Sequence, residues 1–179
     1  MAVRADGHSR AETSELSEIA TAWAGELPGL DLAPFLVSAG ILRLAQQVEQ
    51  AFTALARSSG IGPGDLRVLL ALRRSAPTYA MSPTALFKQL MITSGAVSKQ
   101  VDRLAELGLV ERVPDPEVLR GVLISLRPAG RTIAEDAMRR IAASFCGLEQ
   151  LSAAEASQAL DVLSGLQRTM DAAATTEQT

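Results

Sequence analysis

Ser94, Gly95, Ser98 and Lys99 interleave with Val97, Val101 and Leu104 along one short amphipathic stretch. At about 100° per residue, the three apolar residues fall within about 60° of one another and must face a core. Gly95, Ser98, Lys99 and Asp102 then share the opposite side. Small, polar and singly basic residues at the front of a helix suit entry into the major groove of DNA. There the Lys99 ammonium can donate to guanine O6 and N7. Lys99 is one of only two lysines in a chain of 179 residues with 17 basic ones; the other is Lys88. A plain helix-bundle core shows the same apolar spacing, so the surrounding elements have to decide.

Those elements start at Ser82-Pro83, with Ser82 as N-cap and Pro83 at the first helical position of a helix that ends near Leu90. Thr93 can cap the next helix, which runs to Leu107 before Gly108 stops it. After Gly108 the apolar period changes from 3.6 to 2. "LVERV" and "VLISL" read as strands joined by "PDPEVLRG", a loop longer than hairpins usually carry and so of the functional kind. Two capped helices, a tight turn and a hairpin with a long loop make a winged helix-turn-helix.

On either side the pattern is helical. Leu16, Ile19, Ala20, Trp23 and Leu27 recur at helical spacing. Asp31 can cap a long helix to about Arg57 with a stripe of Ile41, Leu44, Val48, Phe52 and Leu55. Residues 65–75 form a short apolar helix. Pro128 reopens helix, and Ser152 with Glu155 forms a capping box ahead of Leu160, Leu163, Leu166 and Met170. The expected fold class is mainly α with a small β-hairpin. A DNA-binding lobe spans 63–131, dimerisation helices span 13–62 and 132–172, 1–12 is a disordered arm and 173–179 a frayed tail. The stripes exceed what one small lobe can cover, which predicts a homodimer.

Charge follows the same division. Residues 65–131 hold ten Lys/Arg against six Asp/Glu, whereas the rest of the chain holds seven against fourteen. A basic middle with acidic ends suits a protein that presents one face to a polyanion. A single cysteine excludes an intramolecular disulfide, and no Cys/His cluster has metal-ligand spacing. No apolar run is long enough to span a membrane, and no signal-peptide core is visible, so a cytoplasmic location is expected. With one His, one Cys, no nucleophile elbow and no carboxylate pair in a recognisable setting, catalysis has nothing to rest on. No cofactor is expected.

The segments "LRVLLAL", "MSPTALFKQLMITSGAVSKQVDRLAELGLVERVPDP" and "RGVLISLRPAGR" resemble the MarR family of winged helix-turn-helix transcriptional regulators, over about residues 32–172. The resemblance implies a homodimer whose first and last helices pair and whose two lobes grip pseudopalindromic double-stranded DNA. It implies repression relieved by a small effector, often an aromatic acid or phenol, bound between the dimerisation helices and the lobe. Ser94, Gly95, Ser98 and Lys99 match recognition-helix positions, and Arg120 matches a wing arginine that enters the minor groove. The full DNA-binding set is these five with Ser82, Lys88, Thr93 and Arg103.

Two departures stand out. Val118 and Leu119 replace the acidic and polar residues that precede the wing arginine in the family, where the acidic one anchors the wing through a salt bridge. Arg127 replaces the threonine that caps the following helix, at a cost of about 1 kcal/mol unless another group caps. The apolar wing tip also fits an alternative, an adaptor that binds ligand or protein and has weak or lost DNA binding. Trp23, Phe35, Arg43 and Phe52 are the effector-binding candidates, although the aromatic residues equally suit a core and Arg43 an ion pair. Cys146 reads as an inert thiol, having no basic residue in the preceding turn.

Overall fold

The computed structural model describes residues 6–90 and 94–176. Thr93, expected as a cap, lies outside the described residues. The chain divides into two compact units, Met1–Ala54 and Leu55–Thr179.

The first unit holds α1 (Asp6–Glu26) and most of α2 (Ala33–Ser58). Helix α1 begins inside the stretch 1–12 that the sequence suggested as an arm. No Gly or Pro interrupts Arg10, Ala11 and Glu12, all good helix formers, so the helix propagates through them. "LPGLD" breaks the chain as expected: Gly29 takes φ +88° and the Asp31 carboxylate accepts from the Ala33 N–H at 2.9 Å. The two helices meet at Gly40, where an added Cβ would sit 3.9 Å from Leu16 Cδ1.

The second unit contains α3 (Pro63–Arg74), β1 (Ala80–Met81), α4 (Pro83–Leu90) and α5 (Ser94–Glu106). These are followed by β2 (Val110–Pro114), β3 (Val122–Leu126), α6 (Pro128–Ala143), a 3-10 turn (Leu148–Gln150) and α7 (Ala153–Thr176). The sheet is antiparallel in the order β1-β3-β2, with Arg112 opposite Ile124 and Met81 pairing the same Ile124 from the other side. Strand β1 was not expected; at two residues it is too short to show a period. Helix α7 continues to Thr176, into the stretch from 173 that was expected to fray.

Helix α3 is the hub. Leu66, Leu69 and Leu72 are buried together with Leu86 of α4, Val97, Val101 and Leu104 of α5, Ile124 of β3 and Ala134 and Ala137 of α6. Full burial of one such leucine contributes about 2 kcal/mol, so these residues hold α3, α4, α5 and the sheet in one arrangement. The local signals act as the sequence suggested. Ser82 Oγ accepts from the Ala85 N–H, and Ser152 and Glu155 exchange the two bonds of a capping box. Helix α5 closes with Gly108 at φ +69°. The Leu109 N–H bonds to the Leu104 carbonyl and the Gly108 N–H to the Ala105 carbonyl, a Schellman motif.

Candidate nucleic-acid interface

On α5 the division into faces is as the spacing requires. Val97, Val101 and Leu104 are buried, while Gly95, Ser98, Lys99 and Asp102 are exposed. An added Cβ on Gly95 would meet nothing within 4 Å, so this end of the helix is narrow and open to a groove. Ser94 begins the helix. Ser82 precedes α4 and is already committed as its cap, and Lys88 falls in the last turn of α4, exposed.

Arg103 has a different role from its neighbours. Its Nε and Nη2 donate to the two carboxylate oxygens of Asp65 at 2.8 and 2.6 Å. Asp65 is 0% exposed and also accepts from the Gly62 N–H at 3.0 Å. These bonds, and the attraction between the charges, hold the Arg103 pKa above its ordinary value. The pair ties the first turn of α3 to α5 and so sets the pose of α5. Sequence inspection missed it. An acidic residue in a helix's first turn is common, and nothing local marks this one as buried.

The wing is closed by its own backbone. The Asp115 N–H bonds to the Gly121 carbonyl, and the Gly121 N–H to the Val118 carbonyl at 2.7 Å. Asp115 Oδ1 accepts from the Glu117 N–H. Arg120 sits at the third position of the resulting turn with φ +63°, where glycine or asparagine is the usual occupant of a type II turn. Its side chain is exposed, and beside it Leu119 is 94% exposed. Gly121 is required by close approach: a Cβ there would lie 2.8 Å from Val118 Cβ and 2.9 Å from the Val118 carbonyl oxygen.

With no acid at position 118, a different ion pair joins the wing to the lobe. Arg112 on β2 donates to Asp102 on α5 at 2.7 Å. Arg127 leaves α6 without a side-chain cap and instead grips Glu111 of β2 at 3.1 and 3.3 Å.

The effector candidates Trp23, Phe35, Arg43 and Phe52 all lie on α1 and α2. Trp23 and Phe35 are about half exposed, and Arg43 and Phe52 half-buried. Cys146 is exposed and follows α6 in left-handed backbone, φ +58°, so it is no part of a core. Among the described residues no cluster of three or more His, Cys, Asp or Glu could hold a metal ion. None of the described helices is long and apolar enough to cross a membrane.

This architecture has relatives. A family model described as MarR family matches residues 59–121. The HTH-type transcriptional regulator PecS of Dickeya dadantii (strain 3937) is 30% identical over 116 residues, 65% of this chain and 70% of PecS. The multiple antibiotic resistance protein MarR of Escherichia coli (strain K12) is 37% identical over 75 residues, 42% of this chain and 50% of that protein. Among solved structures, a mutant MarR from E. coli complexed with operator DNA superposes with a TM-score of 0.62 at 26% identity, covering 76% of this chain and 99% of the other. A MarR family transcriptional regulator from Streptomyces coelicolor shares the fold, with a TM-score of 0.67 at 24% identity, covering 79% and 97%. By its relatives and its fold, the chain belongs to the MarR family of winged helix-turn-helix transcriptional regulators.

Proposed function

We propose that this regulator acts in the cytoplasm as a homodimeric repressor. Its two recognition helices enter successive major grooves of a pseudopalindromic operator while the wings reach the flanking minor grooves. The observation that carries the reading is the exposed face of α5, where Gly95, Ser98 and Lys99 stand opposite a buried seam. Dimerisation is supported by apolar surface that one chain leaves uncovered: Trp23, Leu27 and Leu44 on or beside α1 and α2, and Leu160, Leu163 and Met170 on α7. A small effector near Trp23, Phe35, Arg43 and Phe52 would relieve repression by favouring a spacing of lobes that no longer fits the operator.

Crosslinking the protein to genomic DNA and sequencing the bound fragments would give the operator. Inserting five base pairs at its centre should abolish tight binding. Half-sites about 10 bp apart would then face opposite sides of the duplex. Undiminished binding to the interrupted site would rule out the symmetric pose. The exposed, apolar Val118 and Leu119 favour a second reading, an adaptor that docks protein or ligand. Failure to retain any DNA fragment at moderate salt would select it.

A further inference from the structure

Between α3 and α6 runs a groove of about 750 Å³ that none of the candidate residues above lines. Leu70, Met138 and Ala142 supply its apolar lining; Arg73, Arg74 and Arg139 stand around it. The volume suits a small organic ligand. On α3, Leu70 and Arg74 project about 140° and 180° round the axis from Asp65, the residue that faces α5. The groove therefore opens on a side of α3 turned away from the recognition helix.

Its charge is unbalanced. Glu135 Oε1 accepts from Arg73 Nε at 2.9 Å and from Arg131 Nε at 2.8 Å, and Oε2 lies 3.6 Å from Arg139 Nη2. Arg74 donates Nε and Nη2 to the Gln89 amide oxygen, at 2.7 and 2.6 Å, when that amide is turned to face it. Hydrogen bonds from Arg131 and Arg73 hold the Glu135 carboxyl below its ordinary pKa, so it is charged at neutral pH. One carboxylate nevertheless offsets only one of four guanidinium groups. Arg73 and Arg131 both lie over the Tyr79 ring, 5.0 and 5.1 Å from its centroid, so that ring is already engaged. What remains for a ligand is an aliphatic lining beside excess positive charge.

We propose that the α3–α6 groove binds an amphipathic carboxylate with an aliphatic body. The carboxylate pairs with Arg139 and Arg74, and the chain lies against Leu70 and Met138. A nucleic-acid backbone fits less well, because it has no apolar body to cover that lining. The site is separate from the DNA-binding surface, and binding is measured without DNA, so its failure would leave the regulator reading intact.

The test is calorimetric titration of the full chain with octanoate and, separately, with 1-octanol. Octanoate should bind at one site per chain, with 1-octanol at least about tenfold weaker. Arg139→Gln should weaken octanoate about tenfold, and Met138→Glu should remove binding by setting a charged carboxylate against the ligand's aliphatic chain. Both positions are exposed, and circular dichroism with thermal melting checks that each variant folds; Arg139→Gln alone suffices if Met138→Glu does not. No heat up to millimolar octanoate, equal binding of the alcohol, or unchanged binding in folded variants would each overturn the proposal. So would loss of operator affinity in Arg139→Gln without ligand, the mark of a phosphate contact. Conversion of a dimer to a monomer by Met138→Glu would overturn it too, by making the groove a subunit interface.

Discussion

Three basic residues of the lobe differ in what holds them, and their variants should differ accordingly. Lys99 is exposed on the side of α5 opposite the buried Val97, Val101 and Leu104 seam. Replacing it with alanine should cost about 1–3 kcal/mol in operator binding and relax preference at one or two base pairs. Titration against single-base operator variants reads this out; an unaltered preference would remove Lys99 from base contact. Arg120 is held at φ +63°, a conformation that costs a non-glycine residue about 1 kcal/mol. Arg120→Gly should therefore leave thermal stability intact, yet weaken every operator and reduce the salt slope by about one per half-site. A drop in stability with no change in salt slope would mean that the wing arginine serves the fold and not DNA. Arg103 is bound to buried Asp65. Arg103→Ala strands that carboxylate and should destabilise the lobe by on the order of 3 kcal/mol in urea unfolding. Unfolding at the parental midpoint would show that the pair carries nothing.

Among the elements, the wing carries Val118 where the family resemblance implies an acidic anchor, and it still pairs as a regular hairpin. Its two ion pairs, Arg112–Asp102 and Arg127–Glu111, are about half exposed on both sides and contribute at most about 1 kcal/mol each. Sheet pairing from Val110 to Pro114 and the turn at Val118–Gly121 define its shape. Gly121→Ala should therefore open the loop where paired charges do not hold it. Limited proteolysis should cut the variant within 115–121, and operator affinity should fall while the core melts nearly as before. Resistance to cleavage equal to the parent would show that the turn has room for a Cβ. Val118→Asp would gain no ion pair from Arg112, which already holds Asp102.

For the whole molecule, the test is what covers the outer helices. Leu163 on α7 is 56% exposed, an arrangement that a lone chain would leave wet along several turns. Leu163→Lys should shift a dimer toward monomer in light scattering at micromolar concentration and, with it, lower operator affinity steeply. A parent chain that is monomeric at that concentration would refute the dimer.

The sequence by itself determined the elements that local chemistry can specify. Ser82-Pro83, Gly108 and the Ser152–Glu155 box act within one turn of their own positions, and the Val97, Val101 and Leu104 seam needs only helical geometry to choose its face. The exposed face of α5 was legible for the same reason. Tertiary structure decided what depends on distant partners. It paired β1, too short to show a period, with β3. It buried Asp65 under an arginine 38 residues away and turned Arg127 from a poor cap into a clasp on β2. It gathered Arg73, Arg74 and Arg139 around one groove. Each of those outcomes depends on where another element packs, and a one-dimensional pattern carries no term for that distance.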